Sequence, residues 1–524
     1  MKPALAVLAA GAHIVLSVLG PVLLACYIYN RAYEYWLDYV GNGVWEPAWP
    51  KARTRFVLCM VTVPIWGLCM AGGTLLWETG KRAYAMYSAR HWRAHYRALN
   101  DTDEDYSKTR VRTNRGEGRG IGIALSVYAS LALWGLFLLA TYEQPVDHRF
   151  KQDIALANRS PRPEGYGDGE KVFIAAMFHN NAGVIPYWTE QCIKLIHYLG
   201  TDNIYVSIVE SHSTDNSPDL LRQFDAALSD LRVEKRILVN DKSISRPSTM
   251  DTSPARIQYL AAVRNLALEP LVERGGFERV LFSNDIFIKA ESMLELLKTR
   301  DGDYDMACAV DLSFWGLYDA WVVRDSLGRI PSSLWPYLAD QEGMSAIKRD
   351  EPAPVFTCWN GIVSIRADPF LPIHLRRPNS LSTEPLSHPI PESHPAYPQP
   401  PDLSPAGTLP LRFRHSSPNE CFSSESFNLP YDLRRQFDLT GIYLNPRVIT
   451  SYDWNFFVWY KYITRHWLVK WFIERVEEGA GMENARMIIG DANNIWTWDG
   501  GECQPVRSFH LMAPEYTLIS PQWW

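Results

Sequence analysis

From residue 171 onward the chain alternates two hydrophobic periods. Short runs rich in β-branched and aromatic residues, at 171–178, 203–209, 233–239, 279–282 and 305–310, have the length and composition of buried strands. Between them, apolar positions recur at helical spacing over 186–199, 218–231 and 254–271, and Pro186 and Pro218 stand where a first helical turn tolerates proline. This alternation predicts an α/β domain: a mainly parallel sheet covered by helices on both faces. Over 369–410 prolines crowd among Ser, His and Glu and no hydrophobic period survives, which predicts a loop or a disordered insert. A second compact stretch begins at 411. It leads into "WNFFVWYKYITRHWLVKWFIERV", helical in period but apolar on most faces, which reads as a packed helix or one lying on a membrane surface.

The first 142 residues follow a different pattern. Three stretches, 3–29, 56–77 and 121–142, contain no Asp, Glu, Lys or Arg, and each exceeds or matches the roughly 20 helical residues that cross a hydrocarbon core of about 30 Å. Each predicts a transmembrane helix. The first is too long in its apolar part for an ordinary signal peptide. Loop 78–120 carries far more Lys and Arg than loop 30–55, so it is expected in the cytosol and everything after 142 in the lumen. The expected organisation is therefore a membrane region (1–142), a polar lumenal stalk (143–170), an α/β core (171–368), the Pro-rich insert (369–410) and a final part (411–524). The sequon Asn158-Arg159-Ser160 would then be a glycosylation site, and Cys192, Cys308, Cys358, Cys421 and Cys503 would lie in a compartment that permits disulfides. A net charge of −6 over 524 residues gives no basic footprint for nucleic acid.

One stretch carries chemistry on its face. In "RVLFSNDIF" an apolar run stops at Ser283-Asn284-Asp285 and resumes at Ile286. A carboxylate inside a core strand is costly unless paired or bound to a cation, whereas one at the end of a parallel strand faces the crevice where open α/β sheets bind ligands. Asp285 is thus the candidate ligand for a hard cation, Mn²⁺ or Mg²⁺. A literal D-x-D near the core, Asp303-Tyr304-Asp305, precedes its strand and should lie at the opposite edge of the sheet. The second strand ends in "VSIVESHSTDNSPDLL", where Glu210 and Ser211 would reach a ribose or base, or would serve an ordinary strand-turn-helix connection.

These residues resemble glycosyltransferase family 69, the fungal α-1,3-mannosyltransferases that include the cryptococcal capsule-associated proteins. The resemblance runs from about 171 to the C-terminus through "AAMFHNNAGVIPYW", "VLFSNDIF", "YDAWVVRDSLGR", "FTCWNGIVSI", "ECFSSESFNLPYDLRR" and "WTWDGGECQP". It implies a GT-A (Rossmann-like) fold, GDP-mannose as donor, a glycan or polysaccharide acceptor, a divalent metal, retention of configuration, and a Golgi or ER membrane location. Asn284 and Asp285 then take the place of the D-x-D element. Ser283 stands where the first aspartate is usual, so ribose binding falls to Glu210 or Ser283. Trp359 and Asn360 become acceptor-side residues, the indole stacking on a sugar, with a packed core tryptophan as the equal alternative. Glu425, with Asp311 as its competitor, becomes the carboxylate near the anomeric centre, and His415 a further metal ligand. Arg324 would face phosphate or acceptor. A transferase for another donor such as UDP-xylose, and a non-catalytic glycan-binding subunit, remain the rival expectations.

Overall fold

The computed structural model describes residues 149–475 apart from 252, 314–315, 320–321, 327, 329–330, 333–334, 379, 382–409, 417–422, 459, 462–464 and 473–474, together with Thr79, Gly80, Met86, Tyr87 and Ser130. The continuous part belongs to one compact unit. The expected membrane spans lie, Ser130 apart, outside the described residues, and no described helix is long and apolar enough to cross a membrane.

The first half of the sheet follows the sequence pattern closely. Strands β1 (Val172–Phe178), β2 (Ile204–Ser211), β3 (Glu234–Asp241) and β4 (Arg279–Ser283) are parallel, in the spatial order β3-β2-β1-β4. Helices α2 (Ile185–Leu199), α3 (Ser217–Asp230) and α4 (Pro254–Arg274) connect them, each with Pro in its first turn. The Ser253 hydroxyl starts α4 by accepting the Arg256 N–H. All seven residues of β1 are buried, and the strand period of two divides them between two cores. Phe173, Ala175 and Met177 join one cluster, Val172, Ile174, Ala176 and Phe178 the other. Continuous apolar strands are what a sheet covered on both faces requires.

Beyond β4 the sheet is mixed, a correction to the mainly parallel sheet expected. The order continues β9 (Ile362–Arg366), β5 (Met306–Ser313), β10 (Ile442–Thr450), β8 (Ala353–Thr357) and β7 (Arg324–Asp325), with β6 (Gly316–Leu317) paired to β5 alone. β9 is antiparallel to both β4 and β5. β5 therefore runs parallel to β4, and so does β10, which is parallel to β5. The C-terminal ends of β1, β2, β4, β5 and β10 all meet at one edge. A disulfide joins Cys308 on β5 to Cys358 just past β8, and Cys192 is a buried free thiol whose pKa burial pushes up to about 12.

Three local expectations change. The stalk contains helix α1 (Lys151–Arg159), which buries Ile154 and Ala157. Within it Asn158 Nδ2 donates to the carbonyls of Ile154 and Lys194 at 2.8 and 3.1 Å, while Oδ1 lies 2.9 Å from His197 Nδ1. A glycan on that nitrogen would remove one of its two hydrogens and so break one of these bonds, and the packing argues against Asn158 as an acceptor in the folded chain. The Pro-rich segment begins as packed turns: Pro369 opens a short 3-10 helix, Phe370 and Leu371 enter the core, and buried Asp368 accepts from the Arg377 guanidinium at 2.6 Å. Finally, the aromatic segment forms two short helices, α8 (Trp454–Val458) and α9 (Trp467–Phe472), rather than one.

Candidate active site

The edge where the strands end is built around Asp285. β4 ends at Ser283, so Asn284 and Asp285 leave the sheet at its rim, and the carboxylate is fully buried. Asn181, just beyond β1, donates to Asp285 Oδ2 at 2.6 Å, and its own Oδ1 accepts the His179 N–H at 2.6 Å. Asp311, near the end of β5, which runs parallel to β4 with β9 between them, is also buried. Its Oδ1 has no hydrogen-bond partner. Burial, followed by the negative charges of Asp319 and Asp285, drives its pKa well above the ordinary carboxylate value.

The amide of Asn284 is fully committed. Its Oδ1 accepts from Arg264 Nη1 at 3.0 Å and from Trp359 Nε1 at 3.3 Å, and its Nδ2 donates to the Tyr452 hydroxyl at 2.7 Å. Arg264 lies over the Trp359 ring at 4.5 Å and reaches Glu425 Oε1 with its Nε at 3.0 Å. Glu425 is the first residue of helix α7 (Glu425–Phe437), started by the Ser424 hydroxyl, which accepts the Phe427 N–H at 3.2 Å. Its Oε2 is buried without a partner.

Asn360-Gly361 completes the rim. Both residues have left-handed φ, 55° and 84°. A Cβ on Gly361 would meet Thr450 Oγ1 at 3.0 Å and Ile286 Cγ2 at 3.1 Å. The Gly361 carbonyl accepts the Asn284 N–H at 2.7 Å, which ties this turn to the strand end that carries Asp285. Asn360 Nδ2 is a third buried polar atom without a partner. Half-buried Asp319 accepts from the Asn360 and Val322 N–H groups; burial raises its pKa to about 6, those two bonds oppose the rise, and the charge of Glu425 adds to it.

Several expected roles change. Glu210 is a backbone clamp: Oε1 accepts the Ser213 N–H at 3.1 Å and Oε2 the Asn240 N–H at 2.7 Å. Ser211 is buried, its hydroxyl 2.8 Å from that of Tyr259. The Ser283 hydroxyl accepts from Trp188 Nε1 at 3.0 Å and donates to the Asn284 carbonyl at 2.7 Å. All three are buried and already hydrogen-bonded within the fold. Trp359, 1% exposed, is a packed core residue that cannot stack on a sugar without repacking. His415 is exposed, and among the described residues no group of three or more His, Cys, Asp or Glu converges to hold a metal. Arg324 is buried, its pKa lowered to about 10 by desolvation against the pull of Asp319 and Asp325. Asp303 and Asp305 do lie at the opposite edge. Asp303 is 88% exposed beside Arg300, and Asp305 pairs with Arg366 at 3.1 Å. A cleft of about 340 Å³ opens there, but its charged walls pair with one another.

Asn181, Arg264, Asp319 and Tyr452 join the site without having been singled out from the sequence. Asn181 and Asp319 stood inside the quoted motifs at a strand end and past a hairpin. Arg264 gave no signal at all, being one cation on a long helix.

Residues 171–432 match the family model described as Cryptococcal mannosyltransferase 1. The chain belongs to this family. One relative, alpha-1,3-mannosyltransferase CMT1 of Cryptococcus neoformans var. neoformans serotype D, is 28% identical over 218 residues, which cover 36% of this chain. The match spans 45% of that protein, so the chain accounts for about half the length of this curated relative. Three solved structures are also similar in part. Staphylococcus aureus TarS is 12% identical with a TM-score of 0.29, covering 60% of this chain and 42% of that one. The mannosyltransferase PcManGT of Pyrobaculum calidifontis, in complex with GDP-Man and Mn²⁺, is 17% identical with a TM-score of 0.20, covering 32% and 45%. Glucosyl-3-phosphoglycerate synthase of Mycobacterium tuberculosis is 10% identical with a TM-score of 0.27, covering 60% and 78%. At these TM-scores none of the three bears on the chemistry of this chain.

Proposed function

We propose that the chain is a GT-A glycosyltransferase that moves a mannosyl group from GDP-mannose to a glycan hydroxyl with retention, forming an α-1,3 linkage. Family membership supports the reaction class. The observation that carries the reading is the set of buried polar atoms left without partners around Asp285, namely Asp311 Oδ1, Glu425 Oε2 and Asn360 Nδ2. Buried polar groups are normally satisfied, and a concentration of exceptions at one sheet edge is what a ligand site leaves behind in the free protein.

The donor set fits a divalent cation. Asp285 and Asp311 are buried carboxylates close enough to raise the pKa of Asp311, and a Mg²⁺- or Mn²⁺-type site needs only one or two carboxylates when substrate phosphates complete it. Bound there, the cation would offset charge on the departing diphosphate. The chain's own residues do the rest. Asn181 orients Asp285, Arg264 holds Glu425 and Asn284 together, and Glu425 presents Oε2 to positive charge developing at the anomeric carbon. The bond from the anomeric carbon to the diphosphate oxygen breaks with its electron pair as the acceptor oxygen bonds on the same face. The acceptor proton passes to the leaving diphosphate. Anchoring by three membrane helices, with this domain in the lumen of the Golgi or ER, is part of the proposal and rests on the hydropathy and charge of the first 142 residues.

The test is donor turnover by the full chain in detergent, with GDP-mannose and UDP-xylose, with and without Mn²⁺. Asp285→Asn and Asp311→Asn should each lower turnover at least about 10²-fold, while Asp303→Asn stays near wild type. Loss of activity in Asp303→Asn with rate and Mn²⁺ dependence intact in Asp285→Asn would put the site at the wrong sheet edge.

A further inference from the structure

The hairpin after Asp311 sets one large aromatic ring in solvent among the site's carboxylates. β5 and β6 pair antiparallel, Leu312 opposite Leu317 and Ser313 opposite Gly316. Tyr318 closes this hairpin by donating its N–H to the Asp311 carbonyl at 2.9 Å. It is bracketed by Asp311 across the hairpin and Asp319 next in the chain. Its ring meets that of Tyr452 edge-on, with centroids 5.9 Å apart at 67°. The Tyr452 hydroxyl in turn accepts from Asn284, the neighbour of Asp285. Its hydroxyl is buried, and desolvation with the charges of Asp311 and Asp319 pushes its pKa up to about 12, while the residue as a whole keeps 49% of its surface exposed. An edge contact fixes the ring's tilt and leaves a π face available. Scattered surface tyrosines need no explanation, but this one is held beside the only concentration of unsatisfied buried carboxylates among the described residues.

An apolar face with carboxylates at its rim is the chemistry that suits a pyranoside. One face of such a ring presents C–H groups and its perimeter presents hydroxyl donors. We propose that Tyr318 is the platform for the acceptor sugar, stacking on the C–H face of a neutral hexopyranoside whose hydroxyl donates to Asp319. This rests on the glycosyltransferase reading above and adds to it the residue that holds the acceptor ring. It also moves the aromatic role from Trp359, which is closed to solvent, to a ring that is open to it.

The experiment is saturation-transfer NMR on the full chain in detergent with GDP and Mg²⁺ present, with methyl α-D-mannopyranoside as the probe. Wild type and Tyr318→Phe should transfer saturation to the mannoside ring C–H protons. Tyr318→Ala should bind the mannoside about tenfold more weakly, in line with loss of an aromatic contact, with GDP affinity unchanged. Unchanged mannoside binding in Tyr318→Ala with intact GDP binding overturns the platform. A wild-type chain that binds the mannoside but no GDP overturns the parent reading instead.

Discussion

Arg264 Nε lies 3.0 Å from Glu425 Oε1, and the same guanidinium reaches Asn284 Oδ1 through Nη1 at 3.0 Å. Both members of the ion pair are buried, with side-chain exposures of 6% and 3%. One planar fork therefore fixes the start of α7 to the end of β4, and it sets where the second oxygen of Glu425 points.

That arrangement predicts a separation of stability from turnover. Arg264→Met leaves a buried carboxylate without its partner and should destabilise the fold by about 3–5 kcal/mol. Adding Glu425→Gln to it should restore most of the stability, because the stranded charge is gone, without restoring turnover. Thermal denaturation and GDP-mannose turnover on the same preparations decide it. Recovery of both in the double variant would reduce the pair to a structural brace.

Asp319 predicts a pH signature. Its folded pKa, about 6, is above the value for an unfolded aspartate, so the stability it contributes is full below about pH 4 and is lost as pH rises through about 6. Asp311 acts in the same direction. Buried His179, whose pKa is lowered, acts oppositely, so the useful quantity is a difference between proteins. In EDTA, Asp319→Asn should gain stability over wild type at pH 7.5 and lose that advantage at pH 4. A difference in Tm that is flat across this range would show that Asp319 titrates normally.

The bond between Cys308 and Cys358 should be found by mass spectrometry of unreduced protein, and replacing both residues by Ala should cost about 2–5 kcal/mol. Cys192 should stay unmodified by iodoacetamide in the native state, since burial holds its thiol protonated. Rapid alkylation of Cys192, or a peptide map with Cys308 free, would contradict this pairing.

Membrane orientation has its own readout. In sealed vesicles with their cytosolic face outward, added protease should cut within 78–120 and spare the domain beyond 142, as the charge asymmetry of the loops requires. The reverse pattern would invert the topology.

The parts of the fold legible in the sequence are those in which neighbours in the chain are neighbours in space. β1, β2 and their helices could be bounded closely because each strand is a continuous apolar run and each helix begins at a proline. The placement of β9 between β4 and β5 had no local signal, because a strand's own pattern does not say which partner it meets. The site divides in the same way. Asp285 was legible because a carboxylate interrupts an apolar run. Glu210 looked equally suggestive, yet two backbone N–H groups from separate turns occupy its oxygens. Arg264 became visible only once Asn284, Trp359 and Glu425, far apart in the chain, were seen around one guanidinium.

The position of β10 bears on how the protein is made. This strand, Ile442–Thr450, leaves the ribosome after every other described strand, yet it inserts between β5 and β8 in the interior of the sheet. Until it arrives, β5 presents an open hydrogen-bonding edge that any extended chain could pair with. Biogenesis therefore carries a waiting period in which the earlier strands are complete and the sheet is not, the circumstance in which chaperones hold a client and in which a non-local parallel pairing folds slowly. A chain ending at residue 432 would carry the whole family-matching segment and still leave that edge unpaired.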